Sequence, residues 1–338
     1  MQIEARIATL TLAETFVIAR ASHDEVEVVQ VELRHDGVSG YGEAAPIARY
    51  DESSASALAF VLESTELLGD DPFGLEEIGD RLAERSGEQA AKAALDAALH
   101  DLCGKLAGLP VWRLLGLRRL GPATAFTLGL GDPDETAQKA ERTAGRTAGR
   151  FQRLKLKLGG RDGLDVERVR AVRGVTELPL QVDVNEYWTL DEALDALPQL
   201  AELGVEYCEQ PLREGDPDGV KLKSRSPIPI YVDEDCHKLA DVAECAEIAH
   251  GINIKLAKSG GIREAVRMAH AARALGLGVM VGCMVESGLG IAAGCVVAPL
   301  CDHVDLDGNL LLAEDPAPGP RFVDGIQCSS DEVGLGCG

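Results

Sequence analysis

The sequence predicts an α/β fold: a closed parallel (β/α)7β barrel behind a smaller α+β module. The first observation is a repeat in the second half. Short apolar runs end on Lys157, Asp183, Glu209, Asp233, Lys255, Gly282 and Asp305, at intervals of 26, 26, 24, 22, 27 and 23 residues. Such an interval holds one strand, one helix and two loops, the unit of a βα repeat. The second is the length of 338 residues, enough for one barrel and a further small domain. The third is the amino-terminal stretch, which follows a different pattern of strands and turns.

Residues 1–50 read as an antiparallel meander. Val26, Val28, Val29 and Val31 mark a strand, Asp36-Gly37 a turn, and Gly40-Tyr41-Gly42-Glu43 the return. Helical patterns follow at 53–68 and 87–106, the second rich in alanine and leucine, with Leu109-Pro110 as its stop. Barrel strands are expected at 123–130, 153–158, 180–184, 205–209, 230–233, 252–256, 279–283 and 304–306. Pro316, Pro318 and Pro320 leave little room for a helix after the eighth. The tail, with Phe322-Val323-Asp324-Gly325, is expected to return to the first module. The division is then residues 1–120, 121–312 and 313–338.

Composition removes several classes of partner. Asp and Glu number 56 against 33 Lys and Arg, a formal charge of −23. Such a surface repels nucleic acid and anionic lipid. Nine cysteines without a C-x-x-C pair suit reduced thiols in a cytoplasm better than a disulfide framework. The amino terminus lacks a signal peptide's apolar core. The apolar stretch 275–300 carries Glu286 and many glycines, which suits a buried strand and helix rather than a membrane span. Association with further copies of the chain is left open.

The chemistry begins at Leu154-Lys155-Leu156-Lys157-Leu158. Alternation puts both lysines on one face and the leucines on the other. Leucines packed against helices leave the lysines pointing into the barrel. A lysine must fall from near 10.4 to about 7, about 4 kcal/mol, to act as a base at neutral pH. A second ammonium (Lys155) and a metal ion supply that bias.

Asp183, Glu209 and Asp233 end successive strands and would repel one another without a cation. Three carboxylates with no histidine at matching positions form a hard-oxygen site that favours Mg²⁺ over zinc. Lys255 ends the sixth strand, across the barrel from Lys157. Two bases flanking a metal-held carboxylate suit removal of an α-proton from one face and its return to the other. Lys258 reads as a loop residue before Gly260-Gly261. Asp305 and Asp307 either face the pocket together and hold a cationic group, or form a solvated turn before Gly308-Asn309.

These motifs resemble the enolase superfamily and, within its muconate lactonising enzyme-like subgroup, the dipeptide epimerases. The likeness covers essentially the whole chain. It is carried by Phe16-Val17-Ile18-Ala19-Arg20, Gly42-Glu43, Arg49-Tyr50-x-Glu52-Ser53, Lys155-x-Lys157, Asp183-x-Asn185-Glu186, Glu209-Gln210-Pro211, Asp233-Glu234, Asn253-Ile254-Lys255-Leu256 and Asp305-x-Asp307. Val184 stands where alanine is usual and Asp235 where serine is usual.

The resemblance implies a (β/α)7β modified TIM barrel with an α+β capping domain formed by the N-terminal region and the C-terminal tail. It implies Lys157 and Lys255 as acid/base catalysts, Lys155 as their charged neighbour, and Asp183, Glu209 and Asp233 as Mg²⁺ ligands. By the same likeness Asp305 and Asp307 anchor a dipeptide's α-ammonium, and Arg20 meets a side-chain carboxylate of L-Ala-D/L-Glu, a murein-derived peptide. The alternative from the same subgroup is o-succinylbenzoate synthase or N-succinylamino acid racemase, whose substrates carry no free ammonium.

Overall fold

A computed structural model describes residues 1–146, 151–317 and 319–337; Pro318, named above as a helix stop, lies outside the described residues. Three long strands open the chain: β1 (Gln2–Ile18), β2 (Ala21–His35) and β3 (Val38–Ala44), antiparallel in that order. Asp36 and Gly37 both take positive φ, 50° and 78°, the backbone a tight hairpin requires. The sheet packs on α4 (Gln89–Ala107), whose alanines allow close approach. A Cβ on Gly42 of β3 would stand 2.0 Å from the Ala94 carbonyl oxygen, so helix backbone lies directly on strand backbone.

The helix expected over 53–68 is two. In α1 (Ser54–Glu63), Ser53 and Ser56 form a capping box at the start. The buried Ser64 turns its hydroxyl onto the Phe60 carbonyl, 2.7 Å away, and α2 (Thr65–Leu68) restarts after it. An amphipathic α3 (Leu75–Ala83) had not been anticipated. Helix α4 ends at Gly108, φ +67°, one residue before the expected Leu109-Pro110 stop. A short α5 (Val111–Leu114) leads to the barrel.

The barrel strands are β4 (Phe126–Leu128), β5 (Leu154–Lys157), β6 (Leu180–Asp183), β7 (Val205–Glu209), β8 (Ile230–Val232), β9 (Gly251–Lys255), β10 (Gly278–Gly282) and β11 (His303–Asp305). They run parallel in sequence order, and a bridge between Thr124 and Val304 joins the last strand to the first. Between them lie α6 (Pro133–Arg146), α7 (Asp165–Arg173), α8 (Leu190–Glu202), α9 (Gly219–Arg225), α10 (Val242–Ile248), α11 (Leu256–Ser259) with α12 (Ile262–Ala274), and α13 (Gly288–Val297).

Among the described residues after β11 the only helical element is a 3₁₀ turn, Gly308–Leu311, which makes the fold the (β/α)7β barrel that was expected. Leu154, Leu156 and Leu158 are fully buried against the helices, so Lys155 and Lys157 face inward. The stretch 275–300 is β10, α13 and a turn, and no helix among the described residues is long and apolar enough to cross a membrane.

Aromatic rings close the barrel floor. Tyr207 and Tyr231 stack at 4.8 Å, with His303 4.7 Å from Tyr207. Gly251 and Gly278 leave space for the Tyr231 ring, which a Cβ at either would meet within 2.3 Å. The tail, with hairpin β12 (Arg321–Val323) and β13 (Ile326–Cys328), bonds back to the first half: Trp112 Nε1 donates to the Ser330 carbonyl and the Val111 N–H to Gly334.

Candidate active site

Sheet register places the charged residues at one height. Lys157 pairs with Asp183, Asp183 with Glu209, and Gly282 with both Lys255 and Asp305. Glu209 pairs with Tyr231, so Asp233 lies two residues further toward the rim. All nine residues singled out in the sequence stand at or over this rim, and all but Lys157 and Arg20 are buried.

Lys155 sits at the centre. Its Nζ lies 2.6 Å from Asp305 Oδ2, 2.8 Å from Glu209 Oε2 and 3.3 Å from Asp183 Oδ2. Burial favours its neutral form, but Asp305, Glu209 and Asp183 outweigh that and raise its pKa well above the ordinary value. Lys155 is a fixed positive charge, the state in which it can act on a neighbouring amine. Lys157 Nζ touches Asp183 Oδ2 at 2.6 Å, and Lys255 Nζ touches Asp233 Oδ2 at 2.8 Å.

The acids respond to those neighbours in opposite senses. Burial opposes the charge on Asp183, but Lys157 and Lys155 hold its carboxyl below the usual range. Asp233 is held low by Lys255 and Lys258 against the same burial. Burial and the Asp183 charge push Glu209 up to about 7. Burial and Asp305 push Asp307 up to about 7.

Asp305 and Asp307 share an anchor on β4. The Thr127 N–H donates to Asp307 Oδ2 at 2.6 Å and its hydroxyl to Asp305 Oδ1 at 3.3 Å. Both are buried rather than part of a solvated turn.

Arg20, in the turn between β1 and β2, reaches the mouth from the other module. Its guanidinium lies 2.7 Å from Glu186 Oε2 and also pairs with Glu234. Glu186 takes Arg49 as well, at 3.1 Å. Two segments of the first module are thereby tied to the loop after β6. Tyr50, beside Arg49, packs edge-on to His237 at 4.9 Å, and burial raises its phenol pKa.

Sequence reasoning missed several supporting residues. Lys258, read as a loop residue, is a buried cation 2.5 Å from Asp233 Oδ1. Gln210 Oε1 accepts the N–H groups of Asp233 and Glu234. Asn185 and Asn253 hold the first two acids, as described below. Gln210, Asn185 and Asn253 all flank the strand ends within the quoted motifs, which was the available signal.

The donor set suits a hard divalent cation. Buried Glu209 Oε2, Glu234 Oε2, Asn185 Oδ1 and Asn253 Oδ1 make no hydrogen bond. Among the described residues no three His, Cys, Asp or Glu side chains are drawn into a metal-holding cluster. The ammoniums of Lys155, Lys157 and Lys255 lie against the acids instead, as the nearest positive charges available to buried carboxylates. The ligand chemistry and the shared rim fit a cation.

Comparison with known proteins agrees with this arrangement. Residues 135–337 match the enolase C-terminal domain-like family, and residues 2–116 the mandelate racemase / muconate lactonizing enzyme N-terminal domain. The chain belongs to the enolase superfamily. A curated relative, the L-Ala-D/L-Glu epimerase of Bacteroides thetaiotaomicron, is 40% identical over 97% of this chain and 85% of its own length. The dipeptide epimerase of Enterococcus faecalis V583, solved with Mg and L-Leu-L-Tyr, superposes with a TM-score of 0.94 at 32% identity, covering 99% of this chain and 98% of that one. The N-succinyl Arg/Lys racemase of Bacillus cereus superposes at 0.93 with 31% identity, over 100% and 95%. This enolase superfamily member thus carries matches to both domains, over residues 2–116 and 135–337.

Proposed function

We propose that this enolase superfamily member is a Mg²⁺-dependent dipeptide epimerase that inverts the α-carbon of the carboxy-terminal residue by 1,1-proton transfer. The observation that carries the reading is the pair of lysines. Lys157 on β5 and Lys255 on β9 each lean on a different acid, with β6, β7 and β8 between them. A carbon held between them has one amine on each face. One lysine takes the α-proton and the other returns a proton to the opposite side; for the second epimer the roles reverse. Lys155 shares the Asp183 Oδ2 that Lys157 meets, and so places a second ammonium next to the catalytic one.

Asp183, Glu209 and Asp233 would hold the Mg²⁺. When bound, the ion draws charge from the substrate's terminal carboxylate and makes its α-proton acidic enough for a lysine to remove. The default substrate is L-Ala-D/L-Glu. A cytoplasmic place in the metabolism of murein peptides belongs to the same proposal, supported by free cysteines throughout.

Asp305 and Asp307 would receive the dipeptide's α-ammonium. Asp307 tests this best, because its pairing is with Thr127 rather than Lys155. Asp307→Asn is expected to raise KM for L-Ala-L-Glu by roughly thirtyfold or more, about 2 kcal/mol, with kcat changed far less. An N-succinylated substrate is expected to show no such loss. Equal loss on both substrates would remove the ammonium anchor and favour the second reading, an N-succinylamino acid racemase, which the Bacillus cereus structure supports.

Arg20 would exchange Glu186 for a substrate carboxylate, a swap that conserves charge at the mouth. Arg20→Met is expected to lower kcat/KM for L-Ala-L-Glu about tenfold while leaving L-Ala-L-Leu nearly unaffected. Parallel loss on both dipeptides would instead make Arg20 a tie between the two modules.

A further inference from the structure

Lys258 is a buried charge for which the proposed proton transfers have no use. It lies on α11 with its side chain fully inaccessible. Gly260 and Gly261, at φ +92° and +125°, turn the chain after that single helical turn. A Cβ on Gly261 would stand 2.4 Å from Asp96 Oδ2 of α4, which also accepts the Ile262 N–H. The turn is therefore pressed against the first module, and Lys258 points back under the ends of β8 and β9.

An ammonium has three donors. Those of Lys258 go to main-chain carbonyls: Asp233 at 2.5 Å, Cys236 at 2.9 Å and Asn253 at 3.3 Å. The charge meets Asp233 Oδ1 at 2.5 Å as an ion pair, while that oxygen makes no hydrogen bond. Only Oδ2 is left facing Lys255 and the interior.

Glu209 shows the same division: its Oε1 accepts Asn253 Nδ2 at 2.8 Å and its Oε2 faces Lys155. Asp183 differs, because Asn185 donates its N–H to Oδ1 at 3.0 Å and its Nδ2 to Oδ2 at 3.3 Å, while Oδ2 also meets Lys157 and Lys155. Glu209 and Asp233 thus each have one oxygen tied to the protein and one facing a lysine.

This division decides between cations. Ca²⁺ takes six to eight oxygens and commonly binds a carboxylate through both of them. Mg²⁺ demands a small octahedron and keeps several waters. Two acids that each offer a single oxygen suit the smaller ion. Resting on the reading that these acids hold Mg²⁺, we propose that Lys258 is a positioning residue that confines Asp233 to one oxygen and thereby sets a preference for Mg²⁺ over Ca²⁺. Asn253 does the same for Glu209 through a hydrogen bond, whereas Lys258 acts by charge.

The test is calorimetric titration of the metal-free protein with MgCl₂ and CaCl₂ alone, for wild type and Lys258→Met. Loss of one positive charge tightens both divalent ions together, so the ratio of the two Kd values isolates the geometry. The Ca²⁺-to-Mg²⁺ Kd ratio is expected to fall by about tenfold, the usual scale for a residue that orients a metal ligand. A folded variant whose ratio stays within about twofold of wild type overturns the proposal. Lys258→Gln keeps a donor for the carbonyls while discarding the charge, and answers the same question if Lys258→Met does not fold. Wild-type protein that binds neither ion would refute the metal reading itself, an outcome distinct from an unchanged ratio.

Discussion

Lys157→Ala and Lys255→Ala are each expected to lower epimerisation of L-Ala-L-Glu by about 10³-fold or more, the upper range for removal of a general acid or base. The two losses should be similar in size, because each full inversion needs one amine to take the proton and the other to supply one. The folded state has reason to tolerate both changes. Lys157 retains a small exposed fraction and its partner Asp183 keeps Lys155 within 3.3 Å. Asp233 likewise keeps Lys258 after loss of Lys255. Neither acid is left as an unpaired buried charge, so circular dichroism and thermal melting should show native-like folds. Wild-type turnover in either variant would contradict a two-base scheme.

Asp183→Asn is expected to cause the second large loss, about a thousandfold in kcat/KM and roughly 4 kcal/mol of transition-state stabilisation, because it removes one of three ligands for the Mg²⁺. Chelation of the metal from the wild type should give a loss at least as large, reversed by added MgCl₂. The same substitution has a separate effect on the metal-free protein. Asp183 faces both Lys157 and Lys155, so its loss leaves buried ammoniums with one acid fewer. Breaking a buried pair costs about 3–5 kcal/mol, and the melting temperature of the metal-free form should drop accordingly. A variant with undiminished Mg²⁺ affinity would remove Asp183 from the ligand set.

What could be read in the sequence follows from periodicity. The strand period of two assigned Lys155 and Lys157 to the interior, and the βα interval brought Asp183, Glu209 and Asp233 to one rim. Strands β5 to β11 begin and end within one residue of expectation. The first strand was placed at 123–130 but is only Phe126–Leu128, because Thr124 and Ala125 serve the barrel closure instead.

Long-range partnerships were beyond this kind of reading. Arg20 meets Glu186 across 166 positions of chain, and Glu186 turns inward on a backbone with φ +76°, which no periodic pattern announces. Lys258 reads as a loop residue because it follows the strand; its burial comes from the Gly260-Gly261 turn against α4. Ser64 splits the expected long helix through a bond to its own preceding turn, a choice that apolar spacing does not report.

The central claim is that two amines exchange hydrogen through one α-carbon. Its most direct test is proton NMR of L-Ala-L-Glu and L-Ala-D-Glu in D₂O with Mg²⁺, comparing wild type with Lys157→Ala and Lys255→Ala. The wild type should place deuterium at the glutamyl α-carbon of both epimers. Each variant should retain exchange of a single epimer, opposite between the two, without interconverting them. Inversion in D₂O that leaves the α-proton in place, or two variants that exchange the same epimer, would contradict the account.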